Sequence, residues 1–198
     1  MADAVSIGDA VRYGLVCVVV IIAAVIDWRT ELTPNWLTLP AILIGLLWSA
    51  VWGAMAAAGA EASITGGALS GLAVSAVGLA AALIPFGVIY AAGGLGGGDV
   101  KLMTAVGALS ASWQVVLATT FYAFVAAAVM AVIVMIRQGL VRRTFSRLFG
   151  AALMKAAKVK ADLPDDSPRI PFAVAVAAGA ILAGLEVLLN VSTPWRGL

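Results

Sequence analysis

The chain has 198 residues, of which 63% are hydrophobic and 11% charged, with a formal net charge of +2; its mean hydropathy is +1.09. A soluble domain is about half apolar and about a quarter charged, so these proportions leave too little polar surface to cover a globule in water, and they exclude a disordered chain. The sequence therefore reads as an integral membrane protein. Its one cysteine, Cys17, excludes an internal disulfide and a thiolate zinc site, and the absence of histidine removes a His-ligated metal and a Ser-His-Asp triad. No metal, cofactor or nucleic-acid partner is expected. Any chemistry falls to carboxylates, lysines, hydroxyls and the main chain.

A spanning helix needs about 20 apolar residues. The first predicted span covers 11–26 and stops at Asp27, Trp28 and Arg29. Its upstream flank carries Asp3 and Asp9 against a single Arg12, which is the wrong charge for a signal peptide and predicts an uncleaved span. The second span covers 36–58. The third covers 64–92 and is expected to kink at Pro85, which packed neighbours tolerate in a membrane. Its Gly67 and Gly71 form a GxxxG that favours close helix contact. A glycine-rich stretch, 93–98, then precedes Asp99 and is unfavourable to a helix.

Residues 101–112 are apolar but reach only about 18 Å as a helix, which fits either a short span or a re-entrant segment. Further spans are predicted over 113–136 and 171–190. Charge decides the count. Eight of the twelve basic residues lie between Arg137 and Arg169, and the positive-inside rule places that loop in the cytoplasm. The short segment must then cross. The resulting fold class is an all-α integral membrane bundle of six transmembrane helices with both termini outside. Residues 140–159 separate Leu140, Phe145, Leu148 and Phe149 from Arg143, Arg147, Lys155 and Lys158, which predicts a cytoplasmic amphipathic helix on the inner leaflet, between the last two spans. Trp28, Trp36, Trp113 and Trp195 stand at span boundaries as interfacial anchors, and Glu186 lies near the outer end of the last span.

On this topology Asp27 and Asp99 both reach the cytoplasmic face, where they meet if spans one and four pack together. Either alone also fits helix-end solvation, and Asp99 fits capping of the helix that follows it. The glycines 96–98 before Asp99 suit the close approach of another backbone. A phosphate-binding role is disfavoured, because neither a GK[ST] nor a strand–helix unit is present. Two adjacent carboxyls do not both ionise easily, so one keeps a proton while the other activates water; such a pair hydrolyses an amide without metal, thiol or imidazole.

Asp27-Trp28-Arg29, followed by Thr33-Pro34-Asn35, resembles the D-x-R/K-x-x-x-I-P-N loop of type IV prepilin peptidases. Gly96-Gly97-Gly98-Asp99-Val100-Lys101-Leu102 resembles their G-x-G-D-x-K-L motif, and Arg169-Ile170-Pro171-Phe172 opens the last span as in that family. Thr33 stands where isoleucine is usual. The resemblance covers roughly 20–185 and implies a single transmembrane peptidase domain over 1–198. It implies a GxGD intramembrane aspartyl protease that removes the basic leader of type IV pilin-like precursors, with Asp27 and Asp99 as the catalytic pair. Gly96, Gly97, Gly98, Lys101, Arg29, Pro34 and Asn35 take supporting or substrate-binding roles; Arg29 and Lys101 are expected to lower or orient a nearby aspartate, and Glu31 to meet the basic leader or solvent.

The chain is similar to the short form associated with tight-adherence (Flp) pili, which lacks the methyltransferase region. The implied partners are a prepilin or pseudopilin and the bilayer of a prokaryotic cytoplasmic membrane. Signal-peptide peptidases and presenilins share GxGD, but the tyrosine before their first aspartate and their PAL motif do not occur here. Two readings from other classes stand beside the peptidase: a proton-coupled transporter component, and a non-catalytic membrane protein of pilus or secretion assembly.

Overall fold

The computed structural model describes residues 7–30, 32–137, 171–189 and 191. Six α-helices and no strands occur among them. They are α1 (Ile7–Thr30), α2 (Asn35–Gly59), α3 (Ile64–Ala91), α4 (Gly97–Ser110), α5 (Trp113–Arg137) and α6 (Phe172–Leu188). Four of them, α1, α2, α3 and α5, are long and apolar enough to cross a membrane. At 14 and 17 residues, α4 and α6 extend about 21 and about 26 Å. The predicted amphipathic helix over 140–159, its basic cluster, Arg169 and Trp195 lie outside the described residues.

Two compact units are present, Met1–Phe124 with Pro171–Leu198, and Val125–Ile170. The described part of the second is the end of α5, a helical stretch that exposes Val129, Val132, Ile133 and Ile136.

The helix ends follow local chemistry. The expected stop of the first span at Asp27 is corrected: α1 continues to Thr30. Nothing in 27–30 breaks a helix, whereas Pro34 disfavours the α-conformation at the residue before it and serves instead as the extended N-cap of α2. The third span ends in a Schellman motif. Gly94 N–H donates to Ile89 O and Gly93 N–H to Tyr90 O, both at 2.9 Å, with Gly93 in the left-handed region at φ 77°, where glycine carries no Cβ penalty. The helix is continuous through Pro85.

The short helix α4 sits at the centre of this unit. All residues from Leu102 to Ser110 are buried, and α1, α2, α3 and α6 all pack against it. A helix that is apolar all round belongs in a core. Lipid tails are as apolar as the helices, so burial alone does little to hold one span to another; close packing and interhelical hydrogen bonds do. The close approaches are made by small residues. A Cβ on Gly107 would strike Gly78 O, one on Gly78 would strike Gly107 O, and one on Gly45 would lie 2.6 Å from the Ala108 carbonyl carbon. Ser75 Oγ donates to Ala108 O at 2.7 Å. Gly67 and Gly71 pack likewise on Gly53 and Ser49 of α2. On the far side, Gly179 of α6 packs on the Thr119 and Ala123 backbone of α5, and Tyr122 donates a hydrogen bond to Glu186.

These contacts yield a stability prediction. Gly107→Ala forces α3 and α4 apart and should destabilise the protein by about 1–3 kcal/mol, as overpacking does, lowering the thermal midpoint in detergent followed by tryptophan fluorescence. Gly14, with nothing within 4 Å of its Cβ direction, is the control. Gly14→Ala should be neutral or stabilising by up to about 1 kcal/mol through helix propensity.

Candidate active site

Three helix ends converge at one edge of the unit. Asp27 comes from the last turn of α1 and Asp99 from the first turn of α4. Thr33, in the α1–α2 connection, packs against Gly98, and the N-terminus of α6 meets Asp27. Main-chain groups at helix starts lie against both acids.

Asp27 is 7% exposed, although it sits at the end of an otherwise apolar helix. Its Oδ2 accepts a hydrogen bond from Ala173 N–H at 3.2 Å. Ala173 is the second residue of α6, after the N-cap Pro171. The first N–H groups of a helix have no partner within it and carry the positive end of the helix dipole, so α6 offers a buried anion a matched donor.

Asp99 is the third residue of α4, and the cap of that helix is Gly96. Asp99 N–H donates to Gly96 O at 3.1 Å, and its carboxyl turns back toward the start of the helix, beside the Gly96 main chain. A Cβ at residue 96 would lie 3.2 Å from Asp99 Oδ2. The glycine run is therefore part helix: Gly97 and Gly98 form the first turn of α4, four residues ahead of the expected apolar segment. Asp99 stands before that segment, at its polar end. Burial, then the negative charge of Asp27, push its carboxyl up to about 6 against the lowering effect of the Gly96 amide. The charge effect identifies Asp27 and Asp99 as electrostatic neighbours.

The loops carrying the two acids interlock. A Cβ on Gly98 would lie 2.9 Å from Thr33 Cβ and 3.0 Å from Thr33 Oγ1, so only glycine allows α4 to approach the α1–α2 turn this closely. Lys101 Nζ donates to Asn35 Oδ1 at 2.8 Å. Lys101 thus engages the first residue of α2, and the Asp99 carboxyl moves upward rather than downward. Pro34 O accepts from Leu37 N–H at 3.2 Å and from Thr38 Oγ1 at 3.4 Å, fixing the start of α2. Arg29 is exposed on the last turn of α1; Glu31 lies outside the described residues. Among the described residues no group of three or more His, Cys, Asp or Glu side chains is placed to hold a metal.

The Ala173 amide has no counterpart in the sequence reading. Its only sequence signal is Pro171 ahead of an apolar run, which marks a helix start and hence free N–H groups. Nothing in that signal names the acid they meet.

The profile of the type IV leader peptidase family matches residues 14–132. That stretch contains both acids, the α1–α2 turn, the glycine loop and Lys101. No curated protein and no solved structure matches the chain.

The position of Asp99 generates a pH prediction. A carboxyl whose proton is held more tightly in the folded protein favours folding below its ordinary value of 3.8 and loses that contribution as pH rises through about 6. Asn at this position cannot ionise. Detergent-solubilised wild type should therefore lose thermal stability relative to Asp99→Asn between pH about 4 and about 6, with a level difference above about 7, as read from unfolding midpoints in stepped buffers.

Proposed function

The chain belongs to the type IV leader peptidase family, and from that premise we propose that it is an intramembrane aspartyl peptidase cleaving the basic N-terminal leader from type IV pilin-like precursors at the cytoplasmic face of the membrane. The observation that carries this reading is the convergence of Asp27 and Asp99, each at a helix end and each within the segment matched by the family.

On this reading the two carboxyls share one proton, as neighbouring acids do. We assign the proton to Asp99, the acid whose carboxyl burial and the charge of Asp27 push up. Asp27, kept in place by the Ala173 amide, takes a proton from a water held between the acids. The resulting hydroxide adds to the scissile carbonyl carbon while Asp99 hydrogen-bonds the carbonyl oxygen. Collapse of the tetrahedral intermediate breaks the C–N bond. The departing nitrogen takes a proton from the pair, leaving a leader carboxylate and a new amino terminus.

The same reading supplies a topology. The end of α1 and the starts of α4 and α6 gather at one edge, which matches six crossings with those ends in the cytoplasm. The precursor's apolar helix would remain among lipid and spans, its basic leader outside the bilayer on the inner side.

The test is cleavage in proteoliposomes of a pilin-like precursor with a basic leader, followed by gel shift. Asp27→Asn and Asp99→Asn should each reduce leader removal by at least about 10³-fold, as loss of an essential acid or base does, while membrane insertion is unchanged. Normal cleavage by either variant would remove that acid from the mechanism.

A further inference from the structure

Lys101 and Asn35 come from motifs 66 residues apart and meet in one hydrogen bond. The bond has a second contact beside it, the close packing of Gly98 on Thr33. Together they join Thr33 and the first residue of α2 to the first two turns of α4, close to the two acids: Asp27 lies one turn before the end of α1, and Asp99 lies between Gly98 and Lys101. A shift of α4 along or about its axis carries Asp99 with it, whereas Asp27 is fixed to α6 through Ala173. The register between the turn and α4 therefore sets the separation of the carboxyls.

We propose that Lys101 is a positioning residue that acts through Asn35, fixing the distance between the two acids, rather than a charge acting on either of them. Its ammonium donates to the Asn35 amide oxygen. A flexible four-carbon stem ending in a point donor suits a link across a gap between two loops better than it suits bidentate recognition of a carboxylate. This inference rests on the peptidase reading.

The experiment is a double-mutant cycle on the full chain in proteoliposomes, with kcat and KM measured on a pilin-like precursor bearing a basic leader. Lys101→Met and Asn35→Ala should each lower kcat by about tenfold with KM within about twofold, since geometry is lost and substrate contact is not. The double variant should be no worse than either single, because one link is broken once. Asn35→Asp should retain wild-type activity, a carboxylate accepting from lysine at least as well. The exchange Asn35→Lys with Lys101→Asn should recover most of the loss, which also covers the case in which a single variant folds poorly. Additive losses, a defect at Lys101 without one at Asn35, or failure of Asn35→Asp and of the exchange would each overturn the proposal. Absence of cleavage by the wild type would instead sink the peptidase reading beneath it.

Discussion

Main-chain contact between helices in lipid is the constraint from which the rest of this structure follows. With hydrocarbon on every side, apolar side chains gain little by turning inward. Cohesion must come from backbones near enough to touch. Gly45, Gly78 and Gly107 bring α2 and α3 onto α4 at distances that no Cβ permits, and Ser75 adds a hydrogen bond to the Ala108 carbonyl. A 14-residue helix, too short to span about 30 Å of hydrocarbon with ease, is thereby held at the centre of the bundle. Its first turn lands beside the end of α1.

That landing point explains the local chemistry. Two carboxyls would be costly so close to lipid, yet each meets main chain at a helix start: Asp27 accepts from the Ala173 amide of α6, and Asp99 lies beside Gly96. Helix starts supply such donors because their first N–H groups lack partners. Lys101 links the start of α4 to the start of α2. Glu186 at the opposite end of α6 is met by the Tyr122 hydroxyl.

Much of this was legible in the residues. Apolar runs gave the helices to within a few residues, and the positions of Asp27 and Asp99 at helix ends were readable from charge against hydropathy. Two boundaries differ from the sequence expectation for a shared reason. Charge at Asp27-Trp28-Arg29 ends the apolar run and not the helix, which continues to Thr30. The glycine run, unfavourable to a helix by propensity, is helical in part. Propensity penalises glycine in helix interiors, whereas Gly97 and Gly98 occupy a first turn, and Gly93 ends the preceding helix through its positive φ. The Lys101–Asn35 bond and the Asp27–Ala173 contact were out of reach, because a pairing across 66 or 146 residues leaves no trace in spacing.

The Asp27 contact has a consequence for how this protein would respond to systematic mutagenesis. The donor belongs to the polypeptide backbone, and the residue that carries it is already alanine. An alanine scan passes over position 173 in silence. Every replacement except proline keeps the N–H in place, so a survey of side chains would score the site as tolerant or sensitive on packing grounds alone, and one of the groups that orients a buried acid would go unrecorded.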